Sequence, residues 1–512
     1  MKICKILFCL TVAFSLLILC GCGSSSDDLM ERPSTSISKI GSYYQQGIKI
    51  GPYYERKPNY VLEGVKKPWL FFVYIAGDND DIIYNQLANI DSLEAVGSDN
   101  NTHIVTYIDI GDPKEKYGWE SSEWSKNIDW SGARGYYITK NSEEYVINSP
   151  VITEYGKVDS GSKEFFATCL KEAMTKFPAD NICVVLNNHG AGYLGLLCDY
   201  SEDTIMSNNS LKEAIKEVEE STGKKVNILG FDACLMAEIE TAYEYKDVTD
   251  YIIASEELTS SIGWHYEEIL TSSKSKNANK ITTNSKFGIL PRVTKLIQTK
   301  YEENNDVEEN SSETYSKIAF GVTPSQFSQL IFEVTQQYKD EVLAFSVIDT
   351  SKLEDIKNTV NDFAKNVIDT DEENLTFVAD NILLNPQNSN IYYALEYGMM
   401  GGYQLFDLYN MMNTISSCND ITDQNIKTSA NNVKSALSKA VISNTNSGDM
   451  FEEYDYSYGL SILFSYSTNY IIDLDVYQNL AFTKETKWLD MIKKIEELYS
   501  TETADDEETD DD

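Results

Sequence analysis

The chain alternates short, almost wholly apolar runs with amphipathic or polar stretches. Trp69–Ala76, His103–Asp109, Asn181–Asn187, Val226–Phe231 and Tyr251–Ala254 are such runs, the pattern of strands buried on both faces. Between them the apolar residues recur at helical spacing. One helix is expected from about Ile82 to Val96. A second spans Ser162–Phe177, with Phe165, Phe166, Cys169, Leu170 and Ala173 on one face and Pro178 ending it. A third runs to about Thr222, opened by Ser210 with Glu213 as a capping box. A fourth covers Ala237–Tyr245. Strands alternating with helices predict an α/β fold whose sheet is mainly parallel. Arg134–Thr139 reads as a short edge strand. Beyond about Leu270 the order weakens: Lys274–Ser285 and Tyr301–Ser316 are polar, Leu343–Ile348 and Gly459–Phe464 read as strands, and Ser351–Val367 as a helix. Thr501–Asp512 is acidic with almost no apolar residue, the composition of a disordered tail.

The N-terminus follows a different rule. Lys2 and Lys5 precede an apolar run, Ile6–Leu19, of signal-peptide length. It ends in Leu19-Cys20-Gly21-Cys22 and a run of Ser and Asp, an order that resembles a bacterial lipobox with Cys22 as the lipidated residue. An ordinary secretory signal with a coincidental Cys is the alternative. Residues 1–21 are thus expected to be removed, 22–66 to space the protein from a membrane, 67–350 to form a catalytic domain, 351–499 its C-terminal part, and 500–512 the tail. The net charge of −39 disfavours nucleic acid and anionic lipid headgroups and favours cationic polypeptides, or simply keeps the protein in solution. Once the signal and Cys22 are set aside, five cysteines remain of the nine in the chain, without CxxC spacing. That excludes a dense disulfide framework or a zinc site and leaves at least one thiol over. No metal ligand set is read from the sequence.

Two buried runs end in residues suited to chemistry. Asn181–Asn187 leads into Asn188-His189-Gly190-Ala191-Gly192, and Val226–Phe231 into Asp232-Ala233-Cys234-Leu235. Ligands of open α/β sheets bind outside the carboxyl ends of the strands, so neighbouring strands would bring His189 and Cys234 together. An imidazole and a helix starting at Cys234 would favour the thiolate, and the N–H groups of Gly190 and Cys234 would cradle an oxyanion. A buried structural Cys and a structural His are the plainer alternatives. His103 looks embedded in a strand; His265, after Gly263-Trp264, is the rival base. Asp232 lies two residues before Cys234, where it lines a pocket for a cationic side chain or caps the next helix.

At these residues a family resemblance emerges. Asn188–Tyr193 and Gly230–Ala237 resemble the two signature blocks of the clostripain-like cysteine peptidases, of the caspase–gingipain–legumain group. Trp69–Asn79, Ala254–Glu257 with Gly263-Trp264, Phe406–Tyr409, Tyr458–Ile462, and Ala481-Phe482 with Trp488 resemble further blocks, so the likeness covers roughly residues 67–499. It implies a caspase-like three-layer sandwich with a mainly parallel central sheet and a C-terminal α+β subdomain. It also implies a His189–Cys234 dyad and Asp232 in the pocket that selects Arg or Lys before the scissile bond. Some relatives are calcium-stimulated; the chain has no EF-hand loop, so no cofactor is required and calcium stays open. One departure stands out: relatives are often matured by cleavage at a basic residue shortly after the catalytic His, yet Gly190–Asn209 holds no Lys or Arg, and no processing is expected there. The alternatives to an Arg/Lys endopeptidase are an inactive family member that binds surface polypeptides and an acidic surface adhesin with structural thiols.

Overall fold

Apolar runs buried on both faces need neighbours on both edges and a layer on each side, and here they obtain both in one sheet. The computed structural model describes residues 63–116, 118–274, 322–336, 344–383, 405–445 and 457–506. The signal segment, Cys22, most of the spacer, most of both central polar stretches and residues 507–512 lie outside them. The strands are β1 (Lys67–Ala76), β2 (Thr102–Ile110), β3 (Gly132–Tyr137), β4 (Val151–Gly156), β5 (Ala179–Asn187), β6 (Leu196–Asp199), β7 (Thr204–Met206), β8 (Ile228–Asp232), β9 (Tyr251–Ser255), β10 (Phe345–Asp349), β11 (Leu405–Asp407), β12 (Val441–Asn444) and β13 (Ser461–Leu463). Nine form the central sheet in the order β12-β10-β9-β8-β5-β1-β2-β3-β4. The five middle strands, β9 to β2, are parallel; both margins are antiparallel. β6–β7 and β11–β13 are two-stranded ribbons.

Alternation along β1 divides the core into two layers. Phe72 and Tyr74 join a cluster with Phe166 and Leu170 of the helix Lys163–Lys176, Tyr74 meeting Phe166 edge-on at 5.2 Å between ring centres. Phe71, Val73 and Ile75 pack on the opposite side with Leu87 and Ile90 of the helix Ile83–Val96. Each fully buried Phe or Leu contributes roughly 1.5–3 kcal/mol. The result is an α/β sandwich with a mainly parallel sheet between helical layers. Among the described residues no helix is long and apolar enough to cross a membrane.

Several local expectations need correction. β3 is not an edge strand, because β4 pairs outside it; the polar stretch between them hid the second strand. The helix Asn208–Thr222 is capped by Ser207, whose side chain accepts from Ser210 N–H, so Ser210 lies inside the first turn. Gly459–Phe464 supplies a strand, but β13 pairs with β11 and not with the central sheet. β12, from the C-terminal part, completes that sheet instead. The last helix, Trp488–Asp506, runs into the segment read as a disordered tail.

Candidate active site

β5 and β8 are adjacent and parallel, with Asn187 opposite Asp232. Their carboxyl ends therefore deliver His189 and Cys234 to the same edge of the sheet. Both are buried, at 3% and 8% exposure, so neither is an ordinary surface side chain. The ends of β1 and β5 are laced together: Asn188 Nδ2 donates to Ala76 O (2.6 Å), and Gln86 Nε2 donates to Ala76 O and Asn187 O (3.3 Å each). This brings the turn after β1 against His189, where Asp81 Oδ1 lies 3.1 Å from Nε2. Tyr200 stacks on the imidazole, the rings 11° apart in plane.

Gly190 packs on the backbone of Cys234. A Cβ there would lie 2.3 Å from Cys234 O and 3.0 Å from Met236 Sδ, a distance no side chain tolerates. The bonds flanking Gly190 run from Leu197 N–H to His189 O and from Ala191 N–H to Gly195 O. Among the described residues the N–H groups of Gly190 and Cys234 meet no acceptor.

The loop carrying Cys234 is not a helix start. The helix begins at Ile239, with Glu238 at its cap, so the expected dipole at the thiol is absent. Leu235 instead holds a left-handed φ of 64°, a strain of order 1–3 kcal/mol. Leu235 N–H to Glu257 O (3.1 Å) and Ala237 N–H to Ser255 O (2.9 Å) fix it. The sulfur's hydrogen-bond partner is Thr259: N–H to Sγ at 3.3 Å and Oγ1 to Sγ at 3.6 Å. Burial pushes the thiol up, Thr259's two groups oppose this, and Asp232 and Glu257 add to it. His189 and Cys234 share no hydrogen bond.

Asp232 is not a helix cap either. Its Oδ2 accepts from Asn187 Nδ2 (2.6 Å), Tyr266 OH (2.7 Å) and Trp264 N–H (3.0 Å). Burial raises its carboxyl, and those three donors counter the shift. Oδ1 has no partner among the described residues. His265 sits on the same loop, its Nδ1 4.0 Å from Glu268, and is not hydrogen-bonded to the thiol. His103 is buried in β2 and bonded to Val65 O (2.7 Å) and Tyr137 OH (3.2 Å), a structural residue.

A Cys and a His at the ends of neighbouring parallel strands are where one peptidase family keeps its signature blocks, and the sequence model of the clostripain family, peptidase C11, matches residues 73–495. The chain belongs to the clostripain family of cysteine peptidases. Among solved structures it is similar to an inactive zymogen C11 protease from Parabacteroides distasonis (18% identity, 82% of this chain and 99% of that one, TM-score 0.51). It is also similar to a secreted C11 cysteine protease from Bacteroides thetaiotaomicron in complex with an irreversible peptide inhibitor (17% identity, the same coverage, TM-score 0.48). No curated relative matches. The first of these likenesses bears on the fold alone, and it agrees with the sandwich described above.

For this clostripain-family peptidase, sequence reasoning missed Asp81 and Thr259. Asp81 stands just before the expected helix from Ile82, where nothing in the sequence marks it; only the β1–β5 pairing aims it at His189. Thr259 lies between the two parts of the resembled block, Ala254–Glu257 and Gly263-Trp264, and is not itself marked out. Asp78, Asp109 and Asp199 are buried with their oxygens within 4.8 Å of one another, the set of described side chains able to hold a hard cation. Asp78 is already paired with Lys116 Nζ at 2.8 Å. Burial raises the carboxyls of Asp109 and Asp199.

Proposed function

We propose that this peptidase is an endopeptidase that cuts polypeptides after Arg or Lys through a His189–Cys234 dyad and a thioester. The observation that carries this is the parallel β5–β8 pairing, which sets both residues at one sheet edge. His189 takes the thiol proton, the sulfur attacks the scissile carbonyl carbon, and the same proton passes to the leaving amine; water then hydrolyses the thioester. Asp81 holds the imidazole. The unbonded N–H groups of Gly190 and Cys234 receive the oxyanion. Asp232 Oδ1, left without a partner, accepts the guanidinium or ammonium of the substrate, while Oδ2 is locked by its three donors. The acidic chain favours such substrates electrostatically. No step is routed through a metal; calcium, where it acts, would be held by Asp78, Asp109 and Asp199. Cys22 is the lipid attachment point that keeps the enzyme outside the cell membrane.

The test is turnover of Arg-, Lys- and Ala-coumarin peptides by wild type, Cys234→Ala and Asp232→Ala. Wild type should cleave the basic peptides, Cys234→Ala none, and Asp232→Ala should lose the basic preference. Equal rates for wild type and Cys234→Ala would overturn the dyad; an unchanged preference in Asp232→Ala would move the pocket elsewhere.

A further inference from the structure

The thiol of Cys234 sits among groups that oppose its ionisation. Asp232 at the end of β8 and Glu257 after β9 both disfavour a negative sulfur, as does burial. The helix that could have countered them starts five residues too late, at Ile239. His189, after β5, is engaged through Nε2 with Asp81. What faces the sulfur directly is Thr259, with its N–H at 3.3 Å and its hydroxyl oxygen at 3.6 Å. Its carbonyl, at 3.9 Å, is placed to accept from the neutral thiol.

The loop that presents Thr259 is held from both ends. Glu257 O accepts from Leu235 N–H in the nucleophile's own turn. Beyond Thr259, Trp264 N–H and Tyr266 OH are tied to Asp232. Gly263, at φ +80°, lets the loop pass where a Cβ would lie 2.6 Å from Asn89 Nδ2 and 2.8 Å from Asp232 Oδ2. The donors are thus fixed in place before substrate arrives, which is the condition under which they stabilise charge most strongly.

Resting on the dyad assigned above, we infer that Thr259 is a further catalytic residue, whose N–H and hydroxyl donate to the Cys234 sulfur and stabilise the thiolate formed when its proton leaves. When the sulfur attacks, its negative charge moves to the carbonyl oxygen. The two bonds to sulfur then weaken as those at the oxyanion form. Thr259 therefore favours the thiolate at some expense in its intrinsic nucleophilicity.

That trade gives a signature. Iodoacetamide alkylation of Cys234, followed by peptide mass mapping across pH 5–10, should show a thiol pKa raised by about one unit in Thr259→Val. Labelling should be about tenfold slower on the acidic limb and no slower on the alkaline plateau, where both proteins are fully ionised. Thr259→Ser should restore the wild-type profile. A wild-type profile in Thr259→Val, or an equal loss at every pH, would overturn the inference, the second outcome marking a purely structural residue. Because alkylation needs no peptide substrate, failure of this inference is separable from failure of the Arg/Lys reading.

Discussion

His189 acts as a base only if its lone pair faces the thiol, and the contact with Asp81 decides which nitrogen that is. Donation from Nε2 to the Asp81 carboxylate at 3.1 Å leaves the lone pair on Nδ1. Stacking on Tyr200 limits rotation of the ring but cannot choose a tautomer, so the carboxylate carries that role. Asp81→Ala should therefore lower kcat about a hundredfold with little change in KM, measured on an Arg-coumarin peptide. An unchanged kcat would show that packing alone orients the imidazole. Gly190 follows the same logic of close approach: its missing side chain lets the loop after β5 rest on Cys234 O. Sequence reading found His189, Gly190, Asp232 and Cys234 because each stands at the end of an apolar run. Asp81 and Thr259 were not legible, since a side chain in a turn or an unpatterned loop acquires a role only from what the fold brings beside it.

The segment after His189 shows the element scale most clearly. Where processing of relatives is expected, this chain forms a short 3-10 turn at Gly192–Leu194 and the β6–β7 ribbon. It is buried except at Tyr200–Ile205, Ser207 and Asn209 and has no basic residue. Tyr193 N–H donates to Glu238 at 2.6 Å, and Asn208 Nδ2 to Gly192 O at 2.9 Å. A protease needs accessible chain with a residue that it accepts, and the accessible part of this segment holds no Lys or Arg. Mapping the termini of the purified protein by mass spectrometry should find no cut within Gly190–Asn209, and a cut there would defeat the argument. The same spectra should show a lipid-modified Cys22 as the first residue; an unmodified N-terminus elsewhere would exclude the anchor. Elements were legible where one period dominated, as in β1, β5 and β8. They were misread where short-range cues competed: Ser207 and Ser210 are both good caps, and only the backbone path selects Ser207. Six residues of irregular turn after β8 look helical in sequence, but the tie to Ser255 and Glu257 holds them open.

At the scale of the whole molecule, many carboxyls are buried. Burial pushes Asp199 to about 6 and Glu219 and Glu333 to about 7. It also raises both members of the pairs Glu238–Glu240 and Glu256–Asp407; Glu240 further disfavours the charge of Glu238, and Asp407 that of Glu256, while Glu256 holds Asp407 down. These pairs tie the helix after β8 and the end of β9 to the C-terminal part: Glu240 accepts from Leu463 N–H and Tyr477 OH, and Glu256 from Ser457 and Gly459. A carboxyl raised on folding binds its proton more tightly in the native state. Its contribution is full below the unfolded pKa, about 4, and is lost as pH rises through the folded value, here between about 6 and 7 and above. The charge of −39 adds self-repulsion in the same direction. Tm should therefore be higher at pH 5 than at pH 8 by scanning calorimetry; the reverse order would show that these raised carboxyls do not govern the pH dependence, since lowered ones such as Glu354 beside Lys357 stay ionised across that range.

The sequence by itself determined the α/β class, the buried strands of the sheet, the helical layers and the two strand ends that carry His189 and Cys234. These follow from periodicity and burial, which act within a dozen residues of chain. Only the tertiary structure decided the strand order, the pairing of β5 with β8, the antiparallel margins and the arrival of β12 from the far end of the chain. It likewise decided that Asp81 meets His189 and that Thr259 meets Cys234. Such contacts join residues 25 to 108 positions apart, and no local pattern encodes them, because what selects them is the packing of the whole sheet against its two helical layers.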